Sequence, residues 1–69
     1  MNKQIVKIEI ASQASNGVTR QGMTVHGPGR DWSNLVAHEL LDANIPSGDL
    51  VHLTLWHSDG KTTYQFFSW

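Results

Sequence analysis

Two dipeptides, Asn16-Gly17 and Asp59-Gly60, each stand between runs whose apolar residues fall on alternate positions, and one stretch of helical spacing separates the two sets. Asx-Gly adopts the positive φ angles of a tight hairpin turn, and alternation of apolar with polar residues is the period of a strand buried on one face. A chain patterned in this way is directed toward two antiparallel hairpins joined through a helix, the order ββαββ.

In the first hairpin, Lys3 to Ala11 places Val6, Ile8 and Ile10 on one face and Lys7 and Glu9 on the other, and Val18 to His26 returns beside it. With Ser15 and Val18 flanking a two-residue turn, Ile10 meets Met23, Ile8 meets Val25 and Val6 meets Gly27, while Lys7 and Glu9 meet His26 and Thr24 on the reverse side. A slip of one residue would oppose apolar to polar residues, so the pattern itself selects this register.

Gly27-Pro28-Gly29-Arg30 interrupts the second strand, and Asp31 is placed to cap a helix from Trp32 to Ala43. Asn44 can take the left-handed conformation that ends a helix, and Pro46 cannot continue one. Trp32, Val36, Leu40 and Ala43 form an apolar stripe with Leu35 on its flank, leaving Asn34, His38 and Asp42 to solvent.

Treating Asp59-Gly60 as a two-residue turn joins Leu50–His57 to Lys61–Trp69. Leu55 then pairs with Tyr64, Leu53 with Phe66 and Val51 with Ser68 on one face; Trp56 pairs with Thr63, His52 with Phe67 and Leu50 with Trp69 on the other. A right-handed crossover through the helix is satisfied when the first strand lies between the second and third, giving an all-antiparallel sheet of order 2-1-3-4. A consecutive 1-2-3-4 sheet would make the second and third strands parallel neighbours and is disfavoured.

With 69 residues, of which 39% are hydrophobic, the chain has material for one α+β domain, residues 1–69, with one core. The expected core is the helix stripe on Val6, Ile8, Ile10, Met23, Val25, Val51, Leu53, Leu55, Tyr64 and Phe66. One helix covers one sheet face. Ile5, Leu50, His52, Trp56, Phe67 and Trp69 are therefore expected on the uncovered face, where a contiguous apolar patch marks an interaction site. The occupants expected there are a second copy of the chain, through stacked sheets or through the edge strand ending at Trp69, and a different protein.

Five Lys and Arg against six Asp and Glu give a net charge of -1, which supplies no general field for polyanions. The absence of cysteine removes disulfides and thiolate metal sites and suits a reducing compartment, and the charged, alternating N-terminus lacks the apolar run of a secretory signal. A cytoplasmic location is expected. His26 and His52 share the outer face two strands apart, His38 is on the wet side of the helix and His57 faces the core, so no metal site is expected.

Gly29 and Arg30, at the helix start, form a candidate anion-binding loop, although Asp31 brings its own negative charge to the same place. Trp56, Phe67 and Trp69 with Lys3 and Lys7 could stack and hold unpaired bases. Ser33, His38 and Asp42 diverge around the helix and form no catalytic set. The expected function is that of a small, cofactor-free, non-enzymatic protein–protein interaction module, an inhibitor or adaptor of the kind a virus or mobile element directs at a host protein. The alternative is a nucleotide- or nucleic-acid-binding module using the Gly-Pro-Gly-Arg loop and the sheet aromatics.

Overall fold

A computed structural model describes residues 4–20 and 22–69, so Lys3, expected in the first strand and beside the outer aromatics, lies outside the described residues. The elements are β1 (Ile5–Gln13), β2 (Met23–His26), α1 (Trp32–Asp42), β3 (Leu50–His57) and β4 (Thr62–Ser68). They form one four-stranded sheet of order β2-β1-β3-β4 with every neighbour antiparallel, as the crossover argument requires. The two strands richest in aliphatic residues occupy its centre.

Ile8 and Ile10 of β1, Val51, Leu53 and Leu55 of β3, and Val36 and Leu40 of α1 are each at most 3% exposed and make one cluster. At about 1.5 to 3 kcal/mol for each large side chain removed from water, this cluster supplies the main stabilising term. Ile5, Met23, Val25, Trp32, Ile45, Phe67 and Trp69 pack around it, partly buried. Ala43, expected in the helix stripe, is exposed because it lies just past the end of α1.

The eleven-residue α1 has no cap bond from the Asp31 side chain, no acid in its first turn and no base in its last. A helix this short is marginal in isolation, so packing on the sheet is what holds it. Its C-terminus is well closed. Asn44, at φ +57°, lets its own N–H donate to the Leu41 carbonyl and the Ile45 N–H donate to that of Leu40, while Ile45 packs on the core.

Both hairpin turns differ from the two-residue form expected. In the second, the Gly60 N–H donates to the His57 carbonyl and the His57 N–H to that of Lys61, so the loop is Ser58-Asp59-Gly60, with Gly60 at φ +86°. The first repeats this arrangement around Ser15-Asn16-Gly17, with Gly17 at φ +88°. Each is a three-residue loop whose glycine takes the left-handed position. In each, the Asx carboxyl or amide oxygen accepts from the N–H two residues on: Asn16 from Val18, and Asp59 from Lys61.

The consequences for register differ. Beyond the first turn, Gln13 bridges Thr19, yet Ile10 pairs with Met23, so the returning chain gains one residue in between. The pairings expected for Ile8, Ile10, Lys7 and Glu9 therefore hold, although the second strand is confined to Met23–His26. The second hairpin contains no such compensation. Leu53 faces Gln65, Thr54 faces Tyr64 and His52 faces Phe66, a shift of one residue from the expected pairing that exchanges the faces of β4.

A second irregularity affects β1. Ile5 pairs with His57 and Lys7 with Trp56, leaving Val6 as the extra residue of a bulge. The bulge turns Ile5 toward the core and leaves Val6, an expected core residue, 45% exposed.

Candidate functional site

With α1 on one side, the opposite side of the sheet carries no covering element among the described residues. Side chains of one strand alternate between faces, so the observed pairings fix the residues of this open face. From β2 to β4 the first row is His26, Lys7, Trp56 and Thr62, and the second is Thr24, Glu9, Thr54 and Tyr64. Ala11, His52 and Phe66 form the third row; Gln13, Leu50 and Ser68 form the fourth.

Leu50, His52 and Trp56 thus stand where the sequence reading places them. Ile5, Phe67 and Trp69 do not. The bulge at Val6 takes Ile5 to the helix side, and the three-residue turn takes Phe67 and Trp69 there, where all three pack against the core. In exchange, Tyr64 and Phe66, expected in the core, are 62% and 63% exposed on the open face. The signal that could have located them is the serine before each Asx-Gly, which completes a three-residue loop.

The face has internal order. Phe66 stacks on His52 with ring centroids 4.3 Å apart and planes inclined by 22°. Lys7 Nζ lies 4.4 Å from the Trp56 ring centroid and 3.3 Å from Glu9 Oε1, so the cation rests on the indole while paired to a carboxylate. Trp56 is half-buried, and its Nε1 has no hydrogen-bond partner.

Leu50, His52 and Phe66 wall a cleft of about 180 Å³ whose other lining includes Ala11, Gln13 and Thr19. That is comparable with the roughly 150 Å³ cavity known to admit a benzene ring. A single apolar side chain is the natural size of guest.

Behind the face, a part-buried ion pair ties the loop before β3 to the chain returning from the first turn. Arg20 Nε donates to Asp49 Oδ2 at 2.5 Å, and Asp49 is 4% exposed. The hydrogen bond to Asp49 holds the Arg20 guanidinium above its ordinary pKa, desolvation opposes the rise, and the Coulomb attraction adds to it. This contact is architectural.

The other candidates are less organised. Gly29, at φ +73°, and exposed Arg30 border a broad concavity of about 470 Å³ that also includes Gln4, Ile5 and Trp32, with Asp31 adjacent in sequence. Ser33, His38 and Asp42 are all exposed on α1. His57 is half-buried on the helix side, its Nε2 2.9 Å from Thr63 Oγ1. Among the described residues no three His, Asp or Glu gather as metal ligands, and no helix is long and apolar enough to cross a membrane.

Compared with protein-family models, curated proteins and solved structures, the chain finds no match in any of the three.

Proposed function

We propose that this chain is a non-enzymatic protein-binding module, an inhibitor or adaptor that works by occupying a partner through its open sheet face. The observation that carries this reading is the exposure of Tyr64 and Phe66, at 62% and 63%, in one surface with Leu50, His52 and Trp56. Large rings held by a rigid sheet lose little conformational freedom when covered, and aromatic residues dominate the energetics of protein interfaces. The cleft beside Phe66 offers a pocket for one apolar side chain of the partner. A cysteine-free chain suits a partner met in a reducing compartment such as the cytoplasm.

Charge favours a protein over a nucleic acid as the target. Among the described residues, Lys7 is the one Lys or Arg in the rows of this face, and Glu9 engages it. Phosphate recognition would need several uncompensated cations there.

The test is capture from a lysate of the source cell, identification of the captured protein, and titration of that protein in purified form. Trp56→Ala and Tyr64→Ala should each weaken binding by about 30-fold or more, the size of an interface hot spot. Asp42→Ala, on the exposed side of α1, should leave it unchanged. Equal binding by all four proteins would reject the face, and tight binding to single-stranded oligonucleotides that falls steeply with salt would replace the reading with the nucleic-acid one.

A further inference from the structure

The open face ends at β4, and β4 has a second interaction surface of its own, its outer backbone edge, which no strand among the described residues pairs. The His57 N–H donates to the Lys61 carbonyl at one end of the β3–β4 ladder, and the Trp69 N–H donates to the Asp49 carbonyl at the other. The register between these bonds is unbroken. Because backbone groups of an antiparallel strand point alternately to its two sides, Thr63, Gln65 and Phe67 bond toward β3. Thr62, Tyr64, Phe66 and Ser68 point their N–H and C=O groups outward.

Strand edges are ordinarily blunted by lysine, proline, a bulge or shortness. The other edge of this sheet, β2, is four residues long and ends at Gly27-Pro28. Seven-residue β4 contains no charged residue, no proline and no bulge.

We infer that β4 of one copy pairs antiparallel with β4 of a second copy about a twofold axis at Gln65, joining two sheets into one of eight strands. Gln65 is the midpoint of the strand, so this register overlaps both edges in full. It sets the four outward-pointing residues of each copy opposite those of the other: Thr62 against the partner's Ser68, and Tyr64 against the partner's Phe66. Each hydrogen-bonding edge is thereby satisfied, and two aromatic cross-strand pairs form on the open face. No like charges are opposed.

The area is sufficient for a weak specific dimer. An aromatic side chain offers about 150 to 250 Å². With Tyr64 and Phe66 more than 60% exposed, the four rings of a dimer carry roughly 400 to 600 Å². Edge pairing covers only the facing flanks of these rings together with the two backbone edges, which puts the interface at the small, weak end of the range. Thr63 and Gln65 are exposed on the helix side, so α1 does not obstruct the approach. Tyr64 and Phe66 belong to both surfaces: the pairing takes their outward backbone groups, and their side chains stay on the open face.

The experiment combines sedimentation equilibrium on the full chain with cysteine pairing. From about 1 µM to about 1 mM, spanning weak specific affinities, wild type should rise from 7.7 kDa toward twice that mass. Phe66→Lys, at an exposed position, should remain monomeric with an unchanged circular dichroism spectrum. At the proposed axis the two Gln65 Cα atoms would be about 4.5 Å apart, within disulfide reach, whereas two Thr63 Cα atoms would be roughly 14 Å apart.

In a glutathione redox buffer, Q65C should therefore form a disulfide dimer to at least tenfold greater extent than T63C. A wild type that stays at 7.7 kDa throughout, or equal dimer from the two cysteine variants, would overturn the inference. A monomer whose face variants still lose their target refutes only the edge pairing; a dimer with no target refutes only the proposed function.

Discussion

Ser12 lies on the helix side of β1 opposite Val51, 1% exposed, and its hydroxyl has no hydrogen-bond partner among the described residues. A buried polar group left unpaired costs about 1 to 3 kcal/mol. Ser12→Ala should raise stability by about 1 kcal/mol, which in a domain of this size is roughly 4 to 8 °C in Tm. A thermal melt that moves downward would show that the hydroxyl is satisfied.

Arg20 gives the opposite expectation. Arg20→Met leaves the Asp49 carboxylate buried without its cation and should lower the unfolding midpoint, and adding Asp49→Asn should recover part of the loss. Because Asp49 raises the folded-state pKa of Arg20, the contribution of Arg20's charge is fully present below its unfolded value and is lost only above the still higher folded one. Alkaline titration from pH 7 to about 11 should therefore leave the difference between wild type and Arg20→Met unchanged.

Single residues were readable where backbone chemistry is specific. Asn44 adopts the left-handed conformation that its place before Ile45-Pro46 suggests. Val6 was not, because its apolar character fits the alternation of β1 and nothing local marks it as the extra residue of a bulge.

At the scale of elements, the lengths of the loops decide which rings are inside. Replacing Asp59 by Asn, to favour a two-residue Asn-Gly turn flanked by Ser58 and Lys61 in place of the three-residue loop, would favour the alternative register, drawing Tyr64 and Phe66 inward and expelling Phe67 and Trp69. Since Phe67 and Trp69 now close the core, the Asp59→Asn variant should melt at a lower temperature, with Trp fluorescence shifted to the red; an unchanged melt would mean that the turn residues do not set the register.

The helix is equally dependent on packing. Leu40 is 0% exposed, and Leu40→Ala should cost about 2 to 5 kcal/mol. That is comparable with the roughly 3 to 5 kcal/mol available to so small a core, so α1 and the sheet should lose their order together in a urea titration. Element types, their order and the antiparallel 2-1-3-4 topology were legible because period, turn residues and handedness all point to one answer. The existence of an uncovered face followed from counting one helix against two faces. Its membership did not follow, since one residue of loop length inverts the rings of β4 and one bulge inverts Ile5.

For the whole molecule, pairing through β4 would couple folding to association. Anything bound only by the folded chain raises apparent stability with its concentration. Wild-type Tm should therefore increase across a hundredfold rise in protein concentration, while Phe66→Lys should melt at a constant temperature; equal concentration dependence in both would place any association elsewhere.

The one-sided seating of α1 divides the sheet positions into two alternating sets. Ile8, Ile10, Val51, Leu53 and Leu55 answer to the fold, while Leu50, His52, Thr54, Tyr64 and Phe66 face outward between or beside them. A lineage carrying this architecture can revise what it recognises by changing the outward set while the inward set stays fixed. Divergence among descendants would then appear as a striped record along β3, with inherited and rewritten positions taking turns.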